Sequence, residues 1–187
     1  MLYDHTQRIE IDEHLAIRPY TQDDVEGMFP RLTNEKAELF MIASIDNMKD
    51  ISDLRIQIDR GNGLLREGKR LGGAIELGSR IVGTCRISHI RYGEDGDLGY
   101  WLFKEARGKG LVTRCSAALL DIVFSKLNLQ RVTIGAAPSN ERSVAVAKRL
   151  GFEFQQVNEK VLFRGGQWWD AAVYAMSCQR WTDLKAN

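Results

Sequence analysis

The sequence predicts a mixed α/β fold: a sheet with one parallel β-α-β crossing near its middle and helices packed against it. Three observations carry that prediction. Residues 97–137 run from an apolar strand through a glycine-bearing turn and an amphipathic helix to a second apolar strand, the order of a parallel crossover unit. Upstream, Gly78-Ser79 separates two alternating apolar segments, a hairpin signal. Downstream, Gly165-Gly166 separates two more. With 187 residues, 44% hydrophobic and 27% charged, the chain has the size and composition of one globular domain spanning 1–187.

Residues 14–20 (HLAIRPY) alternate as a strand and stop near Pro19. Thr21 followed by Asp24 reads as a helix N-cap with an acid in the first turn, opening helices over 22–32 and 34–45. A third helix is expected over about 50–67, with Ile51, Leu54, Ile58 and Leu65 buried and with interruptions at Gly61 and Gly63. Residues 72–79 and 80–90 are the strands of the first hairpin. The loop 92–97 leads into LGYWLF (98–103), an aromatic and apolar run that reads as a central strand. Behind the turn EARGKG (105–110) lies the strongest helical period, with Leu120, Val123, Phe124 and Leu127 on one face. RVTIGAA (131–137) is a buried strand, broken by Pro138-Ser139-Asn140. A helix of about ten residues then runs to Leu150, and Gly151 suits its C′ position. Strands at 155–164 and 170–178 close the fold.

Composition excludes several function classes. Lys and Arg number 26 against 25 Asp and Glu, a formal charge of +1, too balanced for a nucleic-acid binder. Cys85, Cys115 and Cys178 match no metal-ligand or redox spacing and read as free thiols, so no metal is expected. The start, MLYDHTQRIEIDEH, holds no apolar segment, and no run approaches the ~18 apolar residues of a membrane span. A cytoplasmic protein is expected.

The chemistry points to residues 97–114, DLGYWLFKEARGKGLVTR. A turn holding Gly108 and Gly110 leads into a helix, where exposed backbone N–H groups and the helix dipole favour an anion. Glycine allows close approach of a phosphate. Arg107, Lys109 and Arg114 add positive charge. The Walker pattern is absent, which disfavours a P-loop hydrolase, and Thr113 stands where a dinucleotide fingerprint needs its third glycine. The remaining pattern, Gln/Arg-x-x-Gly-x-Gly/Ala, fits Glu105 to Gly110 except that Glu105 replaces Gln or Arg. About thirty residues on come Asn140-Glu141-Arg142-Ser143 and then Leu150-Gly151-Phe152. GYWL (99–102), the AALLDIVF helix, NLQRV and the closing Gly166 to Asp170 segment followed by Tyr174 complete the series.

In these features the chain resembles the GNAT superfamily of N-acetyltransferases, and within it the Rim-type (RimL and RimJ) ribosomal-protein N-terminal acetyltransferases. The resemblance covers about 14–180 and is strongest over 97–152. It implies a mostly antiparallel twisted sheet with a splayed parallel strand pair, 97–103 and 131–137. It also implies acetyl-CoA as co-substrate. Pantetheine would pair with the backbone of Trp101, Leu102 and Phe103, and a backbone N–H near Leu102 would polarise the thioester. The pyrophosphate would sit on Arg107, Gly108, Lys109, Gly110, Leu111, Val112 and Thr113. Asn140 would hold the pantetheine arm. The family's usual tyrosine acid falls on Ala147, which has no proton to give, and Ser143 is the substitute the resemblance suggests. A plainer account makes Ser143 a first-turn serine bonded to backbone. His89, Asp97 and Glu159 are the candidate bases, each with an ordinary structural alternative. Phe40, Met41 and Trp168 are candidate walls of the acceptor pocket.

Proton energetics bear on the acceptor. At pH ~7.5, deprotonation costs about 0.7 kcal/mol for an α-amine and about 4 kcal/mol for a lysine. A site without a strong base therefore favours an α-amine, the protein N-terminus of a Rim-type enzyme. A small-molecule amine (polyamine, antibiotic or aminoacyl-nucleotide toxin) is the alternative acceptor. Glu105 and Ala147 also leave open a non-catalytic acetyl-CoA-binding module. The resemblance further suggests a homodimer.

Overall fold

The computed structural model describes residues 3–35, 45 and 48–186. In chain order the elements are β1 (Ile9–Glu10), β2 (Leu15–Arg18), α1 (Asp24–Asn34), α2 (Ile51–Arg66), β3 (Leu71–Leu77), β4 (Arg80–Ser88) and β5 (Asp95–Leu102). They continue with α3 (Leu111–Ser125), β6 (Arg131–Ala136), α4 (Glu141–Leu150), β7 (Glu153–Arg164), β8 (Gln167–Ser177) and α5 (Cys178–Ala186). The strands form one sheet in the order β1-β2-β3-β4-β5-β6-β8-β7. Each neighbouring pair is antiparallel except β5 and β6, which α3 joins as a parallel crossover. Among the described residues no helix is long and apolar enough to cross a membrane.

Local chemistry explains most boundaries. Asp50 caps α2 by accepting from Ser52 N (2.8 Å) and Asp53 N (3.3 Å), and the Asp53 carboxylate returns to Asp50 N. The expected interruptions at Gly61 and Gly63 do not occur, because the other positions of this 16-residue helix and burial of Leu54, Ile58 and Leu65 outweigh the roughly 1 kcal/mol that each glycine costs. The helix expected from 22 starts at Asp24. Thr21 does not cap it; instead the Asp24 carboxylate accepts from Thr21 N (2.7 Å) and receives both Arg18 terminal nitrogens (2.7 and 2.8 Å). Nearly all of the helix expected over 34–45 lies outside the described residues. Helix α5 follows β8 with no counterpart in the sequence expectations. Arg180 N bonds to Ser177 Oγ (3.1 Å) at its start, and buried Trp181 donates to Asp121 (2.9 Å).

Two apolar layers cover the sheet. On one face α3 packs Leu119, Leu120 and Val123 against Leu98, Val132, Ile134 and Met176. On the other, α1 and α2 pack Val25, Met28, Leu32, Leu54 and Ile58 against Ala74, Ile81 and Phe103. Alternation along β5 sends Leu98, Tyr100 and Leu102 to the α3 layer, and Trp101 and Phe103 to the α1–α2 layer.

Candidate active site

The site forms where β5 and β6 part. They pair at three positions only: Asp95 with Arg131, Gly96 with Val132, Asp97 with Thr133. Beyond these, β5 follows β4 to Leu102 and β6 follows β8 to Ala136, so a wedge opens between them. Pleating tells which groups face it. Phe103 N–H donates to Val82 O at 3.0 Å, so Phe103, Trp101 and Gly99 turn their backbone groups toward β4. Tyr100 and Leu102 turn theirs into the wedge. Of the three residues expected along pantetheine, Leu102 presents its backbone there and Tyr100 joins it. Trp101 and Phe103 instead place their rings edge to face, 5.0 Å apart, on the α1–α2 side. Arg107 Nε occupies the Leu102 carbonyl (3.1 Å) while the Leu102 N–H stays directed into the wedge. Across the gap, Gly135 is exposed, and a Cβ there would meet nothing within 4 Å.

At the wide end lies an anion cradle. Gly108 (φ 77°) and Gly110 (φ 70°) hold left-handed backbone, and a Cβ on either would project into open space. Gly110 starts α3 with no capping side chain and no acid in the first turn, so the N–H groups of Leu111, Val112 and Thr113 have no side-chain acceptor. These features fit a diphosphate. Lys109 is exposed and makes no ion pair among the described residues. Arg107 bonds Glu35 (3.4 Å) and Arg114 pairs with Asp12. Glu105 turns away from the cradle to pair with Arg31, whose guanidinium also lies 3.6 Å from the Phe103 ring centre and donates to Ile81 O (2.7 Å). Burial alone would raise the Glu105 carboxyl, but backbone bonding and Arg31 hold it below its usual range. The residue that breaks the expected motif thus ties the cradle to α1.

The third wall is the start of α4. Asn140 Oδ1 accepts from Ser143 N (3.2 Å) and caps the helix. Ser143 stands in the first turn of α4, where its backbone N–H meets Asn140 and its side chain lies beside the Tyr100 phenol. Tyr100 Oη donates to Ser143 O (3.2 Å), linking β5 to α4, and burial pushes its phenol up to about 12.

A family profile described as an acetyltransferase (GNAT) domain matches residues 14–153. The chain belongs to the GNAT acetyltransferase family. It is similar to a putative ribosomal N-acetyltransferase of Bacillus subtilis, YdaF, 28% identical over 189 residues that cover 94% of this chain and 98% of the relative. It is 27% identical over 128 residues to the ribosomal protein uS5 alanine N-acetyltransferase of Escherichia coli, covering 64% of this chain and 66% of that one. Its fold matches a solved RimL ribosomal L7/L12 α-N-protein acetyltransferase in complex with coenzyme A, with a TM-score of 0.86 at 19% identity over 93% of this chain and 99% of that one. The wedge and cradle lie within the matched acetyltransferase domain.

The other expected residues fall elsewhere in this GNAT fold. His89 and Asp97 meet, Nδ1 to Oδ2 at 2.9 Å, and Thr133 Oγ1 donates to the second Asp97 oxygen. Both are largely exposed and sit at the paired end of the wedge, where they bridge β5 and β6. Asp97 is three residues, roughly 10 Å of strand, from Tyr100. Glu159 is exposed on edge strand β7, in the part of the β7–β8 hairpin that extends past the end of β6. Trp168 is 59% exposed on the same arm, tilted against Phe163 at 5.2 Å. Phe40 and Met41 lie outside the described residues. Two contributors escaped the sequence reading. Tyr100 was read only as part of an apolar run. Arg149, in the last turn of α4, donates to Thr113 Oγ1 (3.2 Å) and so brings a cation to the cradle; in sequence it reads as an ordinary basic residue at a helix C-terminus.

Proposed function

We propose that this transferase moves the acetyl group of acetyl-CoA to the α-amine of a protein N-terminus, of the ribosomal-protein kind named for its relatives. One observation carries this reading. Around the open wedge stand Tyr100, Leu102, Gly135, Asn140 and Ser143, and none is a base; His89 and Asp97 bond each other at the closed end, and Glu159 lies out on the hairpin arm. An amine must then arrive nearly deprotonated, which an α-amine does and a lysine does not.

Acetyl-CoA supplies an activated thioester. The Tyr100 and Leu102 N–H groups lie where they can donate to the carbonyl oxygen as negative charge grows on it, preorganised by the β4–β5 ladder. The Ser143 hydroxyl, beside the Tyr100 phenol at the start of α4, holds a proton for the departing sulfur. The α3 amides, Lys109 and Arg149 anchor the phosphates. The amine approaches from the Trp101 face and loses its proton to water.

The test is a panel with labelled acetyl-CoA: peptides with a free N-terminus, the same peptides N-blocked but carrying lysine, and polyamines. Transfer is expected to the free N-terminus alone. Faster turnover of lysine or polyamine would refute the reading.

A further inference from the structure

On the face of the sheet that carries Trp101, α1 and α2 roof a cavity of about 290 Å³. Its wall is mainly apolar, with Met28, Leu32, Leu54 and Ile58 among the lining side chains. Three arginines interrupt it: Arg60, exposed on α2, and an inner pair, Arg70, at the entry to β3, and Arg86, in β4.

Glycines seat both. A Cβ at Gly61 would stand 2.6 Å from Arg70 Nη1, so only a bare helix position lets that guanidinium lie where it does. This is a second account of why α2 carries a glycine in mid-helix. Gly99 pairs with Arg86 across β4 and β5, and a Cβ there would stand 3.8 Å from Arg86 Cζ. Arg86 Nε donates to Ser88 Oγ at 3.2 Å. Arg70 Nε is sealed from solvent and has no hydrogen-bond partner.

Among the described residues the cavity has no counter-charge. No Asp or Glu among them lines it, and neither inner arginine pairs with a carboxylate there. Elsewhere the chain matches its partly buried arginines: Arg18 meets Asp24 and Glu76, Arg31 meets Glu105, Arg107 meets Glu35. Burial first, and then the charge on Arg86, bring the Arg70 guanidinium down to about 10. Tyr20 beside them gives no help, since burial pushes its phenol up to about 12 and keeps it neutral. Two like charges facing one apolar space are costly unless an anion joins them.

We propose that this cavity is a carboxylate subsite, in which Arg70 and Arg86 hold an acidic side chain from the first two residues of the acceptor. The inference rests on the protein N-terminus as acceptor and names its chemistry. Position supports it. Arg86 lies over Gly99, its partner across β4 and β5 and the residue before Tyr100, whose N–H faces the wedge. A carboxylate satisfies Arg70 Nε and takes the forked donors of either guanidinium in bidentate fashion. The apolar lining receives the side-chain methylenes and keeps water from weakening the pair.

The test compares free N-terminal peptides that differ only by Glu, Gln or Lys at the first or second residue. They are assayed with the parent, Arg86→Gln, Arg70→Gln and Gly61→Ala, after acetyl-CoA titration shows that each variant is folded. The parent should prefer Glu over Gln by about 10- to 100-fold in kcat/KM, chiefly through KM, with Lys poorest. That preference should collapse in both arginine variants. It should shrink in Gly61→Ala, which displaces the Arg70 guanidinium without removing its charge. Equal handling of Glu and Gln by the parent, or a preference untouched by Arg86→Gln, overturns the subsite while leaving N-terminal acetylation in place. Should no peptide α-amine be acetylated, the proposed function fails by itself. Carboxylate and carboxamide forms of whichever amine is accepted then decide the subsite.

Discussion

Gly110→Ala separates the cost of folding from the cost of binding coenzyme. Gly110 opens α3 at φ 70°, and Gly78 turns the β3–β4 hairpin at φ 62°. A Cβ at either position would meet nothing within 4 Å. Alanine thus adds no clash at either site, only left-handed strain of about 1–2 kcal/mol. In a domain of this size that lowers Tm by roughly 2–8 °C, and Gly78→Ala should match Gly110→Ala. The two differ in what the new methyl faces. At Gly78 it meets solvent. At Gly110 it enters the space before the Leu111, Val112 and Thr113 amides, where phosphate oxygens must come within hydrogen-bond distance. Lengthening one charge-assisted bond beyond use forfeits about 1.5–3 kcal/mol, so KM for acetyl-CoA should rise about 10- to 100-fold. Melting curves and acetyl-CoA titration at fixed acceptor read both effects. If the two alanine variants bind acetyl-CoA equally well, the cradle is not the phosphate site.

Other outcomes follow from the same geometry. Ser143→Ala should lower kcat about 100-fold with KM for acetyl-CoA nearly unchanged. Asn140→Ala, which removes the α4 cap, should cost about 1 kcal/mol of stability and weaken acetyl-CoA binding; steady-state kinetics and melting distinguish the two. With no enzyme base, kcat/KM for an N-terminal peptide should climb with pH and level off near the α-amine pKa of ~8. His89→Ala should leave that profile in place; a changed profile would make His89 the base. Burial raises the Cys85 thiol to about 12 and raises Cys115 as well, so both stay protonated and shielded. Iodoacetamide at pH 8 should label only the partly exposed Cys178 in the folded protein and all three thiols in urea, as read by mass spectrometry.

Element order was legible where short-range chemistry sets it. The Gly78-Ser79 and Gly165-Gly166 turns join antiparallel strands as expected, and Asn140 and Gly151 bound α4. Helix α5 was missed although Ser177 caps it, because the apolar run of β8 continues into Cys178 and hides the change of period. Gly61 was misread as a helix break, since its role depends on Arg70, nine positions on and beyond the end of the helix. Of the candidate site residues, the structure gathers Leu102, Gly108, Gly110, Asn140 and Ser143 around one wedge. It sends Glu159 and Trp168 to a projecting arm, because β8 outruns β6.

By itself the sequence determined the parallel crossover, the glycine turn that opens α3 and the glycine that closes α4. Each depends on residues within about four positions of one another, and period, φ preference and capping record such interactions directly. Only the tertiary structure decided where β5 and β6 part, and that Glu105 answers Arg31 from 74 residues away. It alone set Arg70 and Arg86 facing one cavity that holds no carboxylate among the described residues. Charge balance inside a protein is a property of the space that several elements enclose, and no stretch of chain carries it.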